Sequence, residues 1–343
     1  PADRPHNASH GLALCGRSAG VVAPAPPPHN AAMDTMASLH TVLGAGGVIA
    51  RELTTALQQQ GQRVRLASRR ALPVAGTESL ATDLLDAAAV DRAVAGSAVV
   101  YLVAGLRYDA AVWQAEWPRV MAHTIAACLR HGARLAFFDN VYAYGRVNGA
   151  MTEDTPFNPC SRKGEVRAAI ATTLLDAMRR DGLRALIARS ADFYGPCATN
   201  SLIEAVVVSR LRAGKAPQWL GAPGAVHTFT YTPDAGAALA RLGLEDAAFG
   251  QTWHLPTAAD AMTGERLVRL ACELAGQPYR LQVPPAWLLR AMGWFVPVLR
   301  ENAEMMYQFE HDYRFDSGKI ARAFGLQPTA YRDGLARTLA ASG

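Results

Sequence analysis

Residues 41–50 read Thr-Val-Leu-Gly-Ala-Gly-Gly-Val-Ile-Ala and join a short apolar segment to an amphipathic one. Three small residues, Gly44, Gly47 and Ala50, recur there at a spacing of three. Gly44 permits a tight turn out of a strand, Gly47 lets the backbone approach a pyrophosphate, and Ala50 lets the following helix pack closely on the strand. The N-terminus of that helix would face the phosphates. The stretch therefore predicts a dinucleotide-binding strand–turn–helix element.

The sequence around this turn alternates apolar strands with amphipathic helices. The predicted strands span 40–43, 63–67, 98–104, 134–139 and 184–190. The predicted helices span 48–60, 85–94, 113–131 and 162–181. Apolar strands that alternate with helices are typical of a parallel sheet covered on both faces. We therefore predict an α/β fold with a Rossmann-type, doubly wound parallel sheet.

A change of pattern near residue 195 divides the chain. Beyond it the sequence is irregular and richer in Pro and Trp, which favours a smaller C-terminal substrate-binding lobe. We expect a disordered leader over 1–38, an NAD(P)-binding domain over 39–195, and a lobe over 196–343 that is mainly substrate-binding and returns some elements to the main domain. The leader contains a Pro-rich stretch and no signal-peptide pattern.

Composition excludes several classes of protein. The net charge is +5, but basic residues are interleaved with acidic ones, so no nucleic-acid surface is expected. Five dispersed cysteines without a CxxC pair indicate a reducing cytoplasm. The nine histidines show no metal-binding spacing, so no metal site is predicted. No apolar run is long enough for a membrane span; the nearest, Trp287–Leu299, contains Arg290 and Pro297.

The end of the second predicted strand indicates which dinucleotide binds. NAD sites commonly place an acidic residue there to bind the ribose 2′-hydroxyl. This chain has Leu66-Ala67-Ser68-Arg69-Arg70 and no acid. Ser68 and Arg69 suit a 2′-phosphate, which an acid would repel. The sequence therefore predicts NADP, with NAD as the less favoured cofactor.

Several further blocks follow in order along 41–341. They are Thr82-Asp83-Leu84, residues 101–105 ending in Ala104-Gly105, Val141-Tyr142-Ala143-Tyr144-Gly145, residues 189–196 ending in Tyr194-Gly195-Pro196, His227–Asp234 and Asp316–Lys319. Together with the glycine turn, they resemble the extended short-chain dehydrogenase/reductase family, in its epimerase/dehydratase branch. The resemblance and the turn chemistry predict cofactor contacts at Gly44, Gly47, Val48, Ile49, Ser68, Arg69, Asp83, Leu84, Ala104 and Lys163. The resemblance also makes the two long helices a plausible homodimer face.

The catalytic motif departs from that family. Its members usually carry Tyr-x-x-x-Lys, in which the ammonium lowers the phenol pKa and holds the nicotinamide ribose, so that the tyrosine can exchange a proton with the substrate. Lys163 fits the lysine position, but Pro159 stands four residues before it. Counting back from Gly145 places Asn140 at the family's usual serine position.

Three interpretations of the chemistry remain open. In the first, Tyr142 donates the proton, Asn140 orients a carbonyl or enone oxygen on the same strand face, and Lys163 holds the ribose. In the second, an ordered water, Asp139 or Asp192 handles the proton. In the third, catalysis is lost and the chain is an NADP-binding regulator.

The expected substrate follows from the apolar character of the lobe. Its aromatic residues favour a small or moderately apolar carbonyl or enone as the substrate of an NADP-dependent oxidoreductase. The alternative enzyme is a sugar-nucleotide epimerase or dehydratase. That alternative needs polar anchors for a diphosphate, for which Arg212 and Lys215 are the candidates.

Overall fold

The computed structural model describes residues 37–285, 301 and 303–341. The expected leader lies outside the described residues except for its last two positions, and the apolar run Trp287–Leu299 lies outside them entirely. Among the described helices, none has the length and apolarity needed to cross a membrane.

A parallel sheet organises the part of the chain that the structure describes. The strands there are β1 (Leu39–Leu43), β2 (Arg63–Ser68), β3 (Thr77–Ala81), β4 (Val99–Leu102), β5 (Arg134–Asn140), β6 (Ala150–Met151), β7 (Ala185–Ser190), β8 (Asp192–Tyr194), β9 (Phe229–Tyr231), β10 (Thr252–His254) and β11 (Arg314–Phe315). Seven of them form one sheet in the order β3-β2-β1-β4-β5-β7-β10, with every neighbouring pair parallel. This confirms the predicted Rossmann-type fold.

Helices cover both faces of the sheet. Those in the described residues are α1 (Val48–Gln59), α2 (Ala87–Val94), α3 (Ala110–His131), α4 (Arg162–Arg180), α5 (Ser209–Arg212), α6 (Thr232–Leu244), α7 (Gly264–Leu274), α8 (Tyr307–Glu310), α9 (Gly318–Phe324) and α10 (Tyr331–Ala340). The apolar residues of α2, α3 and α4 form one core with the sheet, and those of α1 and α6 form a second core on the opposite face. Gly236 allows α6 to approach α1, since a Cβ there would lie 2.4 Å from the Cβ of Glu52.

Residues after 195 build a third core and also complete the main sheet. Ile203, Trp219, Phe229 and Leu267 belong to this third core. From the same half of the chain, β10 pairs with β7 and α6 packs on α1. The C-terminal half therefore contributes both the third core and part of the main sheet with its helical cover.

The structure differs from the sequence expectations mainly at edges. Strands β3 and β10 were not predicted, although they form the two edges of the sheet. The strand expected over 98–104 ends at Leu102, and the helix expected from Trp113 begins at Ala110. Asp109 accounts for the earlier start, because its carboxylate accepts a hydrogen bond of 3.0 Å from the Val112 N–H and caps the helix.

Candidate active site

The candidate site lies where parallel strands end side by side. The carboxyl ends of β1, β2, β4, β5 and β7 share one edge of the sheet, because all of these strands run in the same direction. Gly44, Ser68 and Asn140 lie at or directly after the ends of β1, β2 and β5, and Asp192 lies two residues after the end of β7. In open α/β sheets, ligands bind outside this edge. Most of the residues predicted from sequence are therefore brought to one side of the molecule.

Gly44 allows two loops at this edge to meet. Its φ of +87° lies in the left-handed region that favours glycine. A Cβ at this position would lie 2.3 Å from the Cα of Ala104, which follows β4. Any side chain would therefore separate the glycine turn from the end of β4. The structure thus brings Gly44 and Ala104, both predicted to bind cofactor, into contact.

Gly47 fits the role of a phosphate cradle. It is the N-cap residue of α1, and a Cβ built on it meets no atom within 4 Å. No side chain caps this helix and its first turn contains no acid, so the first N–H groups are not satisfied by a local carboxylate. An anion therefore suits the start of α1, beside Val48 and Ile49. The residues present fit a dinucleotide pyrophosphate.

The loops after β2 and β3 frame the expected adenosine side. Arg69 is exposed and makes no ion pair with a described residue, whereas the hydroxyl of Ser68 donates a 2.5 Å hydrogen bond to the carbonyl of Arg70. Asp83 is exposed and accepts a 3.0 Å hydrogen bond from the Leu85 N–H. Leu84 points elsewhere, since its side chain is buried in the core against α2 and α3. Of these predicted contacts, Arg69 and Asp83 are accessible to a ligand.

Lys163 is fully buried and all of its donors are occupied. Its Nζ lies 2.6 Å from Oε2 of Glu301, 2.7 Å from Oε1 of Glu304 and 3.0 Å from the carbonyl oxygen of Glu301. An ammonium group has three N–H donors. It also lies 4.6 Å from the centre of the Tyr108 ring. A ribose hydroxyl would therefore have to compete with the two glutamates for this group.

Glu301 also joins this cluster to the start of α3. Its Oε2 accepts a 2.9 Å hydrogen bond from the N–H of Ala110. Burial alone would raise the pKa of Glu301, but hydrogen bonds from Lys163 and Ala110 outweigh that effect and lower the pKa. The carboxylate is therefore ionised around neutral pH and neutralises the buried lysine.

Pro159 lies outside the helix that carries Lys163. Helix α4 begins at Arg162, and its N-cap Ser161 accepts a 3.0 Å hydrogen bond from the Gly164 N–H. The family arrangement places its tyrosine and lysine on one helix face, which requires helix at both positions. Position 159 therefore lacks both the phenol and the helical geometry of that motif.

The expectation that Asn140 and Tyr142 share one face of a strand is wrong. Strand β5 ends at Asn140, and Val141 adopts φ −90° and ψ −1°, which turns the chain into a 3₁₀ turn over Tyr142–Tyr144. Side chains alternate only while the backbone remains extended. The Tyr142 N–H instead donates a 3.0 Å hydrogen bond to Oδ1 of Asn140. Asn140 therefore stabilises the turn through its Oδ1, and its amide N–H groups are left to donate to a ligand.

Tyr142 nevertheless lies within the candidate site. Its ring stacks on Trp113, with 6.3 Å between ring centres, and it lies beside Tyr108. Burial, followed by Tyr108 and the charge of Asp192, raises the pKa of Tyr142 well above its ordinary value. This phenol keeps its proton and acts as a hydrogen-bond donor more readily than as an acid.

Tyr144 of the Tyr-Gly block and Asp139, named above as a possible proton handler, are held in structural contacts. The Tyr144 hydroxyl is buried and lies 2.7 Å from Nε2 of His254. Asp139 is buried between two guanidinium groups, at 3.1 Å from Nε of Arg189 and 3.4 Å from the nearest nitrogen of Arg167. Two arginines thus enclose and neutralise this carboxylate in a buried ion-pair network. Asp139 is therefore poorly placed to deliver a proton to a ligand.

The site contains a polar pair of which the sequence predicted only one member. Asp192 was named as a possible proton handler, but its partner His227 was not singled out. Oδ2 of Asp192 lies 3.0 Å from Nε2 of His227. The two residues are 35 positions apart and meet because β8 pairs with β9. The presence of His227 in a block that resembles the family was the only available sequence signal.

A family model matches residues 40–252 of the sequence, which span β1 to β10. That model describes the NAD dependent epimerase/dehydratase family. The chain belongs to this family. Membership confirms the resemblance inferred from the ordered blocks, and it identifies the chain as a member of an enzyme family that works with a nicotinamide dinucleotide.

Named relatives of the epimerase/dehydratase family are similar over most of the chain. A dTDP-glucose 4,6-dehydratase of Mycobacterium tuberculosis H37Rv is 28% identical over 238 residues, or 62% of this chain and 71% of the relative. One from Mycolicibacterium smegmatis is 27% identical over 264 residues, or 70% and 78% of the two chains. The UDP-glucose 4-epimerase of Thermus thermophilus, solved with NAD, shares the fold with a TM-score of 0.70 at 18% identity, over 88% of this chain and 97% of that one.

Proposed function

We propose that this chain oxidises and reduces the sugar carbon of a sugar nucleotide, as an epimerase or dehydratase does. The observation that carries the proposal is the joint position of Gly44, Gly47, Tyr142 and Asp192 at one sheet edge, in a chain similar to dTDP-glucose 4,6-dehydratases. This replaces reduction of an apolar carbonyl as the leading function. The nicotinamide group of the cofactor supplies or accepts the hydride.

Different residues along the sheet edge would bind different parts of the cofactor and the substrate. Gly44 and Gly47 would admit the pyrophosphate, and Ala104 would lie beneath the cofactor where it meets the glycine turn. Tyr142 and the amide N–H groups of Asn140 would donate hydrogen bonds to the substrate, because Asn140 ends β5 and Tyr142 lies in the turn that follows. Lys163 would reach the ribose only when Glu301 and Glu304 release at least one of its donors.

We infer NADP as the preferred form of the cofactor. Arg69 is exposed after β2 and is not neutralised by a described acid, while Ser68 lies next to it. A 2′-phosphate would gain charge-assisted hydrogen bonds there. The solved epimerase similar to this chain was crystallised with NAD, so the preference of this chain requires its own measurement.

Reduction of an apolar carbonyl or enone remains the second candidate. The guanidinium of Arg212, a candidate diphosphate anchor, already donates hydrogen bonds within the protein. Its acceptors are Oε1 of Glu204 at 2.9 Å and the backbone carbonyls of Thr338 and Ala341 at 2.6 and 2.7 Å. Lys215 is exposed. The residues around Tyr142 are mainly aromatic, which favours a less polar substrate than a nucleotide diphosphate.

A turnover assay distinguishes the two candidate functions. The full chain is supplied with NAD or NADP and with dTDP-glucose or UDP-glucose, and in parallel with NADH or NADPH and a panel of apolar ketones and enones. Conversion of a sugar nucleotide supports the proposal. Turnover of the carbonyl panel alone would replace it with the second candidate, and cofactor binding without any turnover would favour a regulatory protein.

We also propose that the protein is a cytoplasmic homodimer. Helices α3 and α4 form a groove lined by Ile125, Leu129, Thr173 and Arg180, in which Leu129 is 40% exposed. None of the four described cysteines forms a disulfide, which suits a reducing compartment. Sedimentation velocity should give a dimer for the wild type and a monomer for Leu129→Asp. A wild-type monomer at micromolar concentration would exclude this assembly.

A further inference from the structure

Asp192 and His227, here called the Asp192–His227 pair, lie at the carboxyl end of the sheet beside the turn that carries Tyr142. The His227 side chain is 2% exposed, whereas the Asp192 side chain is 24% exposed. The carboxylate is therefore the face of the pair that a ligand or solvent can reach. Its Oδ1 makes no hydrogen bond with a described residue.

The hydrogen bonds of His227 require one proton more than a neutral imidazole and an ionised Asp192 carry together. Its Nδ1 lies 3.0 Å from the backbone carbonyl oxygen of Gln308, which can only accept a hydrogen bond. Its Nε2 lies 3.0 Å from Oδ2 of Asp192, which is also an acceptor when ionised. A neutral imidazole has only one N–H. The geometry is satisfied either by an imidazolium with a carboxylate or by a neutral imidazole with a protonated Asp192.

His254 provides a contrast within the same protein. Its Nδ1 lies 2.7 Å from the carbonyl oxygen of Asp316, but its Nε2 lies 2.7 Å from the Tyr144 hydroxyl, which can donate. One N–H therefore satisfies both contacts, and burial lowers the pKa of His254 to about 3. The requirement for an extra proton belongs to His227 and not to every buried histidine of the fold.

Aromatic rings confine that proton to the Asp192–His227 pair. The His227 ring stacks on Phe229 and on Phe309. The centre of the His227 ring lies 4.6 Å from that of Phe229, 4.4 Å from that of Phe309 and 5.6 Å from that of Tyr313. These contacts exclude water from the imidazole faces. Exchange with a ligand or solvent therefore proceeds through Asp192.

The neighbouring ionisable groups do not compete for the proton. Burial, together with the charge of Asp192, raises the pKa of Tyr108, Tyr142 and Tyr313 above the ordinary tyrosine value, so all three stay protonated. Beyond Tyr108 lies the Lys163 ammonium, which Glu301 and Glu304 neutralise. The pair differs from these groups, because its own hydrogen-bond contacts require one proton more than a neutral imidazole and a carboxylate carry.

We propose that the Asp192–His227 pair supplies the proton-transfer step that the absent tyrosine at position 159 performs in related enzymes. This inference rests on the proposed hydride chemistry at the same sheet edge. In the reducing direction, the substrate carbon accepts a hydride and the C=O π electron pair moves to the oxygen. The oxygen takes the shared proton from the Asp192 side, which leaves a neutral imidazole and a carboxylate. The pair then regains a proton from water, and the oxidising direction reverses each transfer.

In this step Asp192 is the catalytic residue and His227 is a positioning residue that stores the proton. Tyr142 and Asn140 hold the substrate oxygen by hydrogen bonds. Because Tyr142 retains its own proton, replacing it should raise KM more than it lowers kcat, whereas changing Asp192 should lower kcat.

Nuclear magnetic resonance of the full chain tests the proton without any substrate. Histidine ring nitrogens are labelled with ¹⁵N and aspartate carboxyl groups with ¹³C, and His227→Gln and Asp192→Asn assign the two signals. At pH 7 the wild type should show either two protonated ring nitrogens in His227 or a protonated carboxyl in Asp192. A neutral His227 together with an ionised Asp192 at pH 7 would overturn the inference.

Kinetics of the same variants test the role of the pair. With the sugar nucleotide turned over by the wild type, Asp192→Asn should lower kcat at least 100-fold, in the range expected for loss of a general acid. It should also abolish the alkaline limb of the kcat profile while NADPH binding stays unchanged. His131→Gln is the matched control, because His131 forms an exposed pair with Asp91 at 3.1 Å.

The outcomes separate the two proposals. An active wild type whose Asp192→Asn variant keeps full kcat and the same pH profile would refute the catalytic role of the pair and leave the proposed function intact. A wild type that turns over no substrate would refute the proposed function and the catalytic role with it. The resonance measurement would then still decide whether the shared proton exists.

Discussion

Arg69 and Arg70 are adjacent, exposed and chemically identical, so they offer a controlled test of nucleotide preference. Arg69→Ala should weaken NADPH binding by about 1.5–3 kcal/mol, because a charge-assisted contact to the 2′-phosphate is lost. NADH binding should remain within error of the wild type. Isothermal titration of both nucleotides measures the difference.

Arg70→Ala serves as the control for the Arg69 variant, because it removes the same charge one position further from the end of β2. We expect it to affect both nucleotides slightly and equally. An equal loss of NADH and NADPH affinity in Arg69→Ala would contradict the assignment of NADP.

Single residues also show which features of the site could be predicted from sequence and which could not. Gly44 could be interpreted because the turn chemistry is local and only glycine suits its φ and its contact with Ala104. The surroundings of Tyr142 could not be predicted, because the backbone turns at Val141 and β5 ends at Asn140, before Tyr142 is reached. The partner of Asp192 could not be predicted for another reason: His227 lies 35 positions away in the chain, two residues before β9.

At the scale of elements, the central strands were predictable and the edges were not. Strands β1, β4 and β7 are buried throughout and mainly apolar, which gives a clear pattern. Strand β3 has the sequence Thr-Glu-Ser-Leu-Ala and is largely exposed, so it has no continuous apolar run. Strand β10 has only three residues and lies in the irregular half of the chain. Pairing with a neighbour, and not local composition, makes these segments strands.

Helix α4 and the segment around Glu301 and Glu304 are linked by the ammonium of Lys163. If that group also binds the cofactor ribose, Glu304→Gln should strengthen NADPH binding by about 0.5–1.5 kcal/mol, because one N–H donor is released. Fluorescence titration of NADPH measures this change.

The control for that variant is Glu310→Gln, which changes an exposed glutamate on α8. It should leave the affinity unchanged. Unchanged or weaker NADPH binding in Glu304→Gln would mean that Lys163 only joins α4 to the segment at 301–304, and that the ribose is held elsewhere.

For the whole molecule, two buried histidines make stability depend on pH. Burial lowers the pKa of His40 to about 4 and that of His254 to about 3, while an unfolded histidine titrates near 6.5. Below pH 6.5 these two histidines bind protons in the unfolded chain but not in the folded chain. The free energy of unfolding therefore falls as the pH falls towards the folded pKa values. At pH 5, each histidine should cost about 2 kcal/mol relative to pH 7.

Urea unfolding at pH 7, 6 and 5 tests this dependence. His254→Gln should reduce the slope of the unfolding free energy against pH by about 1.4 kcal/mol per pH unit over the lower part of that range. His131→Gln, at an exposed position, should leave the slope unchanged. An unaltered slope in His254→Gln would show that this residue is protonated in the folded state.

The fold as a whole presents its glycine turn to a dinucleotide, and two glycines permit a direct test. Gly47 and Gly224 both have open space at the Cβ position, and neither has a left-handed backbone, so alanine should leave the fold intact at both positions. Only Gly47 lies at the start of α1. An added methyl group there would occupy the space that the pyrophosphate needs.

The decisive measurement is calorimetric titration of the wild type, Gly47→Ala and Gly224→Ala with NADPH and NADH. We predict micromolar binding of NADPH by the wild type and Gly224→Ala, and at least a tenfold weaker binding by Gly47→Ala at an unchanged melting temperature. Failure of the wild type to bind either nucleotide, or equal affinity in Gly47→Ala, would contradict the assignment of this turn as the cofactor site.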